Sequence, residues 1–379
     1  MSRYHIRSYA YTNQAGVRSG LSAIGADAAG LQRMLEKSAF FCLGGSGISA
    51  PAALILKQEA LARGAEAVIH RDVLVGRIDR SRFALLGTER QLREICQKLR
   101  VQAFGLPALA AELEEALANL AVNRWQIPLP RRGVLELGQR PLLMGILNVT
   151  PDSFSDGGRY LDPQAAAQHA CRLVAEGADM IDIGAASSRP GFSPVPAEEE
   201  LRRLLPALRA VRAAVDVPIS VDSDKAAVVA AALEAGADIM NDIGGLQADP
   251  DMAALAARAG APVVVMHSGF DREDPIGGLC DFLRKSMEIA SSAGVGQEQI
   301  ILDPGFGFGK EGDEDFAIMA NLPLLRVLGR PILCGSSNKR CIGHATDAPL
   351  GERLAGNLGE ALAGDKAATF DRFGQAAGD

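Results

Sequence analysis

The sequence predicts an α/β fold: a (β/α)8 TIM barrel with an incomplete-looking eighth unit, preceded by a small α/β domain. Three observations carry this expectation. From residue 141 onward, apolar runs alternate with amphipathic stretches; the runs are 141–147, 179–184, 217–222, 238–242, 262–267, 300–303 and 331–335. Runs that are apolar throughout belong to strands buried on both faces, as in a parallel sheet. Most of them end in a polar residue, namely Asp182, Asp222, Asn241, His267 and Asp303. A barrel gathers its active site at the C-terminal ends of its strands, whereas a doubly wound sheet binds at one switch point, so polar groups ending so many strands favour the barrel. The third observation is length. The 379 residues divide into about 130 for a leading domain and about 240 for the barrel, slightly short of the ~250 typical of that fold.

In the leading part, 38–46 reads as a strand ending in glycines, 50–63 as a helix, and 66–75 and 82–87 as strands. Thr88 caps a helix that runs to about Val101, with Leu92, Ile95, Cys96 and Leu99 on one face. Residues 106–121 are Ala- and Leu-rich and helical in pattern. Gly44-Gly45-Ser46-Gly47 lacks the Gly-Lys-Ser/Thr ending of a P-loop and the spacing of a dinucleotide fingerprint, so it reads as a strand-to-helix turn. Residues 126–133 carry two prolines and read as a linker, which sets the expected domains at 1–130 and 138–379. In the second domain, 197–215 and 224–236 are amphipathic helices between strands. After a helix at 352–363, residues 367–370 are the single strand-like candidate for the eighth strand.

Composition excludes several classes. Hydrophobic residues make up 48% and charged residues 22%, an ordinary globular balance and not a disordered or fibrous one. Aromatics are 5% and the formal net charge is -7, which argues against a nucleic-acid partner. The six cysteines form no C-x-x-C pair and no zinc spacing, so most are expected as buried, reduced thiols. The N-terminus has no apolar signal region and no apolar run reaches the ~18 residues of a membrane helix, which leaves no membrane role and the cytoplasm as default compartment.

The strand ends hold the chemistry. Asn148 ends the first run and could offer its carbonyl to a hard cation; the long polar loop to Gly158 follows it. Ser187, Ser188 and Arg189 form a candidate phosphate grip. Asp222, Asn241 and Asp303, carried on barrel strands, could hold a heterocycle with several N–H donors, with Asp242 adding a further polar group. In Asp303-Pro-Gly-Phe-Gly-Phe-Gly-Lys310 the alternating glycines let backbone approach a ligand. There Phe308 could wall a ring, and Lys310 could point to solvent or into the site. Lys339, ending the seventh run, supplies another amine; His267 suits the core as well as catalysis. No Gly-x-Ser-x-Gly elbow or Cys/His pair is present, so displacement of a phosphorylated leaving group suits the pocket better than hydrolysis.

Gly145-Ile-Leu-Asn-Val-Thr-Pro-Asp-Ser-Phe-Ser-Asp-Gly-Gly158, Asp182-Ile-Gly with Ser187-Ser-Arg-Pro-Gly191, Ser220-Val-Asp222, Asn241-Asp-Ile-Gly-Gly245, Asp303–Lys310 and Gly335-x-Ser337-x-Lys339 come in an order that resembles the dihydropteroate synthase family of pterin-binding barrels. The resemblance covers about 140–358, and the leading domain resembles an extension seen on some bacterial members. It implies condensation of 6-hydroxymethyl-7,8-dihydropterin pyrophosphate with p-aminobenzoate, giving dihydropteroate and pyrophosphate. It implies Mg²⁺ held by Asn148, catalytic roles for Asp222, Asp303 and Lys339, and pterin contacts from Asn241 and Phe308. Met266, Lys310, Ser187, Ser188 and Arg189 complete the implied substrate-binding set, and a homodimer is the implied assembly. The chain departs from the family pattern at Ala186, Ser188 and Asn338, and its tail 366–379 lacks the family's closing Arg-x-His, although Arg372 lies near that place. A pterin-binding paralogue with impaired turnover is the alternative this departure motivates. A methyltetrahydrofolate-dependent methyltransferase on the same barrel is another, opposed by the loop 150–156.

Overall fold

A computed structural model of the chain describes residues 14–25, 27–150, 162–186, 195–310, 313–335, 339, 341–343 and 370–373. The chain forms two compact units, Met1–Ala118 and Asn119–Asp379. The helix expected at 352–363 lies outside the described residues.

The first unit contains α1 (Gln14–Ala23), α2 (Ala28–Ser38), β1 (Phe40–Ser49), α3 (Ala50–Leu61), β2 (Glu66–Ile69), β3 (Arg80–Thr88) and α4 (Glu89–Leu99), and α5 (Leu106–Ala121) runs across its boundary. The strands form an antiparallel sheet in the order β1-β3-β2. Thr88 and Gln91 make a reciprocal capping box on α4, and Leu92, Ile95, Cys96 and Leu99 are fully buried. Two local expectations are corrected. The glycines at 44–47 lie inside β1, where the register slips between Gly45 and Ile48 and Gly47 takes φ +74°, so they form a bulge before the helix. The run 66–75 is a strand only as far as Ile69. His70 Nδ1 then accepts from Asp72 N at 3.2 Å and the chain turns into a 3₁₀ segment, a local side-chain bond outcompeting the ladder.

The second unit opens on an antiparallel hairpin, β4 (Trp125–Leu129) and β5 (Gly133–Leu137). The segment expected as a linker is therefore structured. Ile127, Leu129 and Leu137 alternate inward and are buried, and a two-stranded hairpin tolerates Pro128. The barrel strands follow: β6 (Leu142–Asn148), β7 (Met180–Gly184), β8 (Ile219–Asp222), β9 (Ile239–Asp242), β10 (Val263–Met266), β11 (Ile300–Asp303), β12 (Leu333–Cys334) and β13 (Phe370–Phe373). They form one parallel sheet ordered β11-β10-β9-β8-β7-β6-β13-β12. A parallel bridge from Leu302 to Ile332 joins the two ends, with Leu302 N donating to Pro331 O at 2.9 Å, and closes the barrel. The eighth strand begins at Phe370, where the expected strand 367–370 was to end, and pairs with both β12 and β6. Between strands stand α6 (Pro163–Ala175), α7 (Ala197–Ala214), α8 (Ala226–Ala235), α9 (Met252–Ala259), α10 (Pro275–Ala293) and α11 (Glu314–Ala320).

Strand side chains alternate between two environments. Ile181, Ile183, Ile219, Val221, Val263, Val265 and Leu302 face the helices and belong to the large core. Leu142, Met144, Met180, Ile239, Val264, Ile301 and Leu333 point inward and pack with Ile127, Leu129 and Leu137 of the hairpin. These inward residues lie toward the strands' N-terminal ends, so the hairpin plugs that end of the barrel. The inward positions further along the strands include Asn148, Asp182, Ser220, Asp222, Asn241 and Asp303, beside the apolar Ile146 and Met266.

Candidate active site

The strand register sets the polar residues side by side. One row across the sheet reads Ile146, Asp182, Ser220 and Ile239; the next reads Asn148, Gly184, Asp222 and Asn241. Met266 pairs with Asp303 on the neighbouring strands. Gly184 leaves a gap in the second row: a Cβ there would lie 3.4 Å from Asp222 Cβ and 3.7 Å from Asn148 Oδ1. Asn148, Asp222, Asn241, Met266 and Asp303 thus stand at the C-terminal ends of β6, β8, β9, β10 and β11, where a barrel places its chemistry.

Asp182 is fully buried and accepts from Asn241 Nδ2 at 3.2 and 3.4 Å. This fixes the Asn241 amide so that its Oδ1 turns away from Asp182. Asn241 Oδ1 and Ser220 Oγ are buried and have no hydrogen-bond partner among the described residues. Buried polar atoms of this kind are costly without a donor and mark where a ligand can supply one. Sequence reading gave Asp182 and Ser220 no role; the signal was present in the inward period-two positions of Asp182-Ile-Gly184 and Ser220-Val-Asp222. Asp242 turns the other way. It accepts from Gly244 N at 2.8 Å and Leu246 N at 2.6 Å, and so braces the loop after β9 instead of adding a group to the pocket. Burial pushes its carboxyl up to about 6.

The 303–310 loop is a compact hydrogen-bonded knot. Asp303 Oδ1 accepts from Gly305 N at 2.7 Å, and Gly307 N donates to Asp315 Oδ1 at 2.9 Å. Gly305 sits at φ +67°, and a Cβ on it would fall 1.9 Å from His267 O, so this position requires glycine. Lys339 Nζ stands 4.8 Å from the centre of the Phe308 ring, a cation–π distance that brings the two residues together. His267 is buried, packs edge-on against Phe282 with ring centres 5.0 Å apart, and is held down to about 4 by desolvation and the nearby Lys310 charge. It is a neutral core histidine. Ser187, Ser188 and Arg189, together with the loop 151–161, lie outside the described residues.

A parallel eight-stranded barrel with this ring defines a class, and the chain belongs to the pterin binding enzyme family, whose model matches residues 144–369. Within that family its relatives are dihydropteroate synthases. The enzyme of Clostridium beijerinckii is 43% identical over 60% of this chain and 86% of its own length, and that of Bacillus subtilis is 42% identical over 63% and 85%. The structure of the Xanthomonas albilineans dihydropteroate synthase with 4-aminobenzoic acid matches with TM-score 0.63 and 40% identity, over 67% of this chain and 94% of that one. The activity these relatives share, dihydropteroate synthesis, is that of this chain, a transferase. The probable bifunctional folylpolyglutamate synthase/dihydropteroate synthase of Haloferax volcanii is 37% identical over 340 residues, which is 84% of this chain and 40% of its own length. That match is longer than the second unit, so it includes part of the first.

Proposed function

We propose that the chain joins 6-hydroxymethyl-7,8-dihydropterin pyrophosphate to p-aminobenzoate in the ring of polar residues at the C-terminal end of the barrel. The observation that carries this reading is the fixed Asn241 amide, whose buried Oδ1 meets no donor of the described chain and stands in one sheet row with Asp222. A pterin edge offers the N–H donors that such acceptors need. In this reading Asn241, Asp222 and Asp303 take the N–H edge of the pterin. Met266 packs against the ring from β10, and Phe308 walls it.

In the reaction the bond between the pterin methylene carbon and the diphosphate oxygen breaks, and diphosphate leaves with the electron pair. The arylamine nitrogen of p-aminobenzoate then forms the new bond to that carbon and gives up a proton. Carboxylates Asp222 and Asp303 stabilise the electron-poor pterin that develops between these events. Lys339, held against Phe308, borders both the pterin and the aminobenzoate. Ser187, Ser188 and Arg189 receive the diphosphate or the aminobenzoate carboxylate.

The residues fit Mg²⁺ as a guest of the substrate. Among the described residues no group of three or more His, Cys, Asp or Glu could hold a metal, and Asn148 offers one amide oxygen beside the Gly184 gap. Mg²⁺ takes few protein oxygens and fills its shell with phosphate and water, which suits a single amide. When bound, it would neutralise charge on the leaving diphosphate. No helix of the described residues is long and apolar enough to cross a membrane. A cytoplasmic location and a homodimeric assembly belong to the same reading.

The test is an assay of the purified chain with both substrates and Mg²⁺. Dihydropteroate is the expected product, and chelation by EDTA abolishes it. Retained pterin binding with no product would replace this reading by a pterin-binding paralogue.

A further inference from the structure

Lys310 is the one lysine of the Gly-rich loop, and the structure buries it, leaving 7% exposed. Its Nζ donates to Gly305 O at 2.8 Å and to Phe308 O at 3.2 Å, and lies 3.3 Å from His267 Nδ1. An ammonium has three N–H donors. Among the described residues three protein acceptors surround it, because a neutral His267 with its proton on Nε2 presents Nδ1 as an acceptor. No donor is left for a substrate. The two carbonyls it binds are themselves knots of the loop: Gly305 O also accepts from Phe308 N at 3.1 Å, and Phe308 O from Gly269 N at 3.2 Å. Lys310 therefore ties the loop after β11 to the end of β10 at the residue whose ring carries Lys339.

We infer that Lys310 is a positioning residue for the condensation, whose charged amine locks the 305–308 backbone and so fixes Phe308 and, through its ring, the Lys339 amine. This rests on the synthase reading above and changes what it expects of Lys310, from substrate contact to loop clamp. The groups facing the amine are His267 from β10, Asp303 from β11, Glu314 and Asp315 at the start of α11, and Lys339. Desolvation outweighs the three carboxylates and brings the amine down to about 8. Once neutral, it keeps two N–H donors and turns a lone pair towards one of its three acceptors, so the clamp loosens.

The experiment is a double-substitution cycle on the full chain with K310M and F308A. Acting through Phe308, K310M alone should raise KM for p-aminobenzoate roughly tenfold, the loss of one charged hydrogen bond. On top of F308A it should add little. Effects that multiply would mean a separate substrate contact and overturn the inference, as would an unchanged KM with only a lower melting temperature. Calorimetric binding of p-aminobenzoate to the same proteins gives a readout independent of turnover. Wild-type chain that makes no product sinks the synthase reading, while the binding cycle still judges Lys310. If K310M does not fold, the pH profile decides: wild-type affinity should fall above about pH 8, and K310R, which keeps its charge, should not follow. A flat wild-type profile, or the same fall in K310R, overturns the clamp.

Discussion

At the scale of single residues, the site is built from pairs in which one member holds the other. Asp182 holds Asn241, and Phe308 faces Lys339. Converting Asp303 to Asn should weaken pterin binding roughly ten- to hundredfold, since an acceptor-only group becomes one that also presents N–H donors; titration calorimetry with a pterin measures it, and unchanged affinity removes Asp303 from the pocket. Two glycines of one loop should separate stability from function. Gly305→Ala drives a Cβ to 1.9 Å from His267 O and should cost more than about 3 kcal/mol in denaturant unfolding. Among the described residues, a Cβ at Gly307, where φ is +77°, would meet Lys339, at 3.4 Å from its Cδ. Gly307→Ala should cost about 1–2 kcal/mol while lowering turnover more, by displacing the Lys339 amine. His267 sets a pH response. Its folded value near 4 lies below the ordinary 6.5, so its contribution to stability is present above 6.5 and lost as the pH falls through 4. The size is up to about 3 kcal/mol. Asp242, raised to about 6, works in the opposite sense, losing its contribution as the pH rises through that value. The comparison of wild type with His267→Asn by urea melts between those pH values isolates the histidine, and identical acid profiles would remove it as the cause.

At the scale of elements, the hairpin β4–β5 does what no barrel strand can. The barrel's inward apolar residues continue to its N-terminal end, and Ile127, Leu129 and Leu137 cover them. Each such side chain, fully buried, stabilises by about 1.5–3 kcal/mol. Trp125 Nε1 adds a hydrogen bond to Gly329 O at 2.9 Å, between the hairpin and the turn before β12. A chain truncated to begin at residue 138 should therefore melt at a markedly lower temperature and bind a hydrophobic dye, whereas one beginning at 119 should melt cooperatively. Equal melting of the two truncations would show that the hairpin is dispensable. The replacement Leu137→Ala tests the same contact more gently, with an expected loss of about 2–4 kcal/mol in urea unfolding.

At the scale of the whole molecule, the barrel is closed by its shortest pairing. β12 has two residues, and the bridge from Ile332 to Leu302 joins it to β11. β13 completes the circle by pairing Phe370 with Leu142 and Phe373 with Gly145. The tail expected to be too short thus reaches β6. The first unit folds around its own sheet, and the Haloferax volcanii match is long enough to extend into part of it.

The apolar runs were legible in the sequence because a parallel strand buried on both faces is apolar throughout. β7, β8, β9, β10 and β11 fall inside the runs read there, and the polar residue at each strand end is a local fact of the chain. The long motifs from Gly145 to Gly158 and from Asp303 to Lys310 were enough to point to the family. What the sequence could not show are relations that depend on closure. Which of the neighbours Asn241 and Asp242 turns inward is set by strand register, and one residue of slip in β9 would exchange their roles. The linker-like 126–133 became a plug because its apolar residues found the open end of a barrel formed by strands far along the chain. Lys310 could face solvent or site by sequence alone. Its burial follows from Gly305 and His267 meeting across β10 and β11, a contact between segments nearly forty residues apart that only the folded barrel creates.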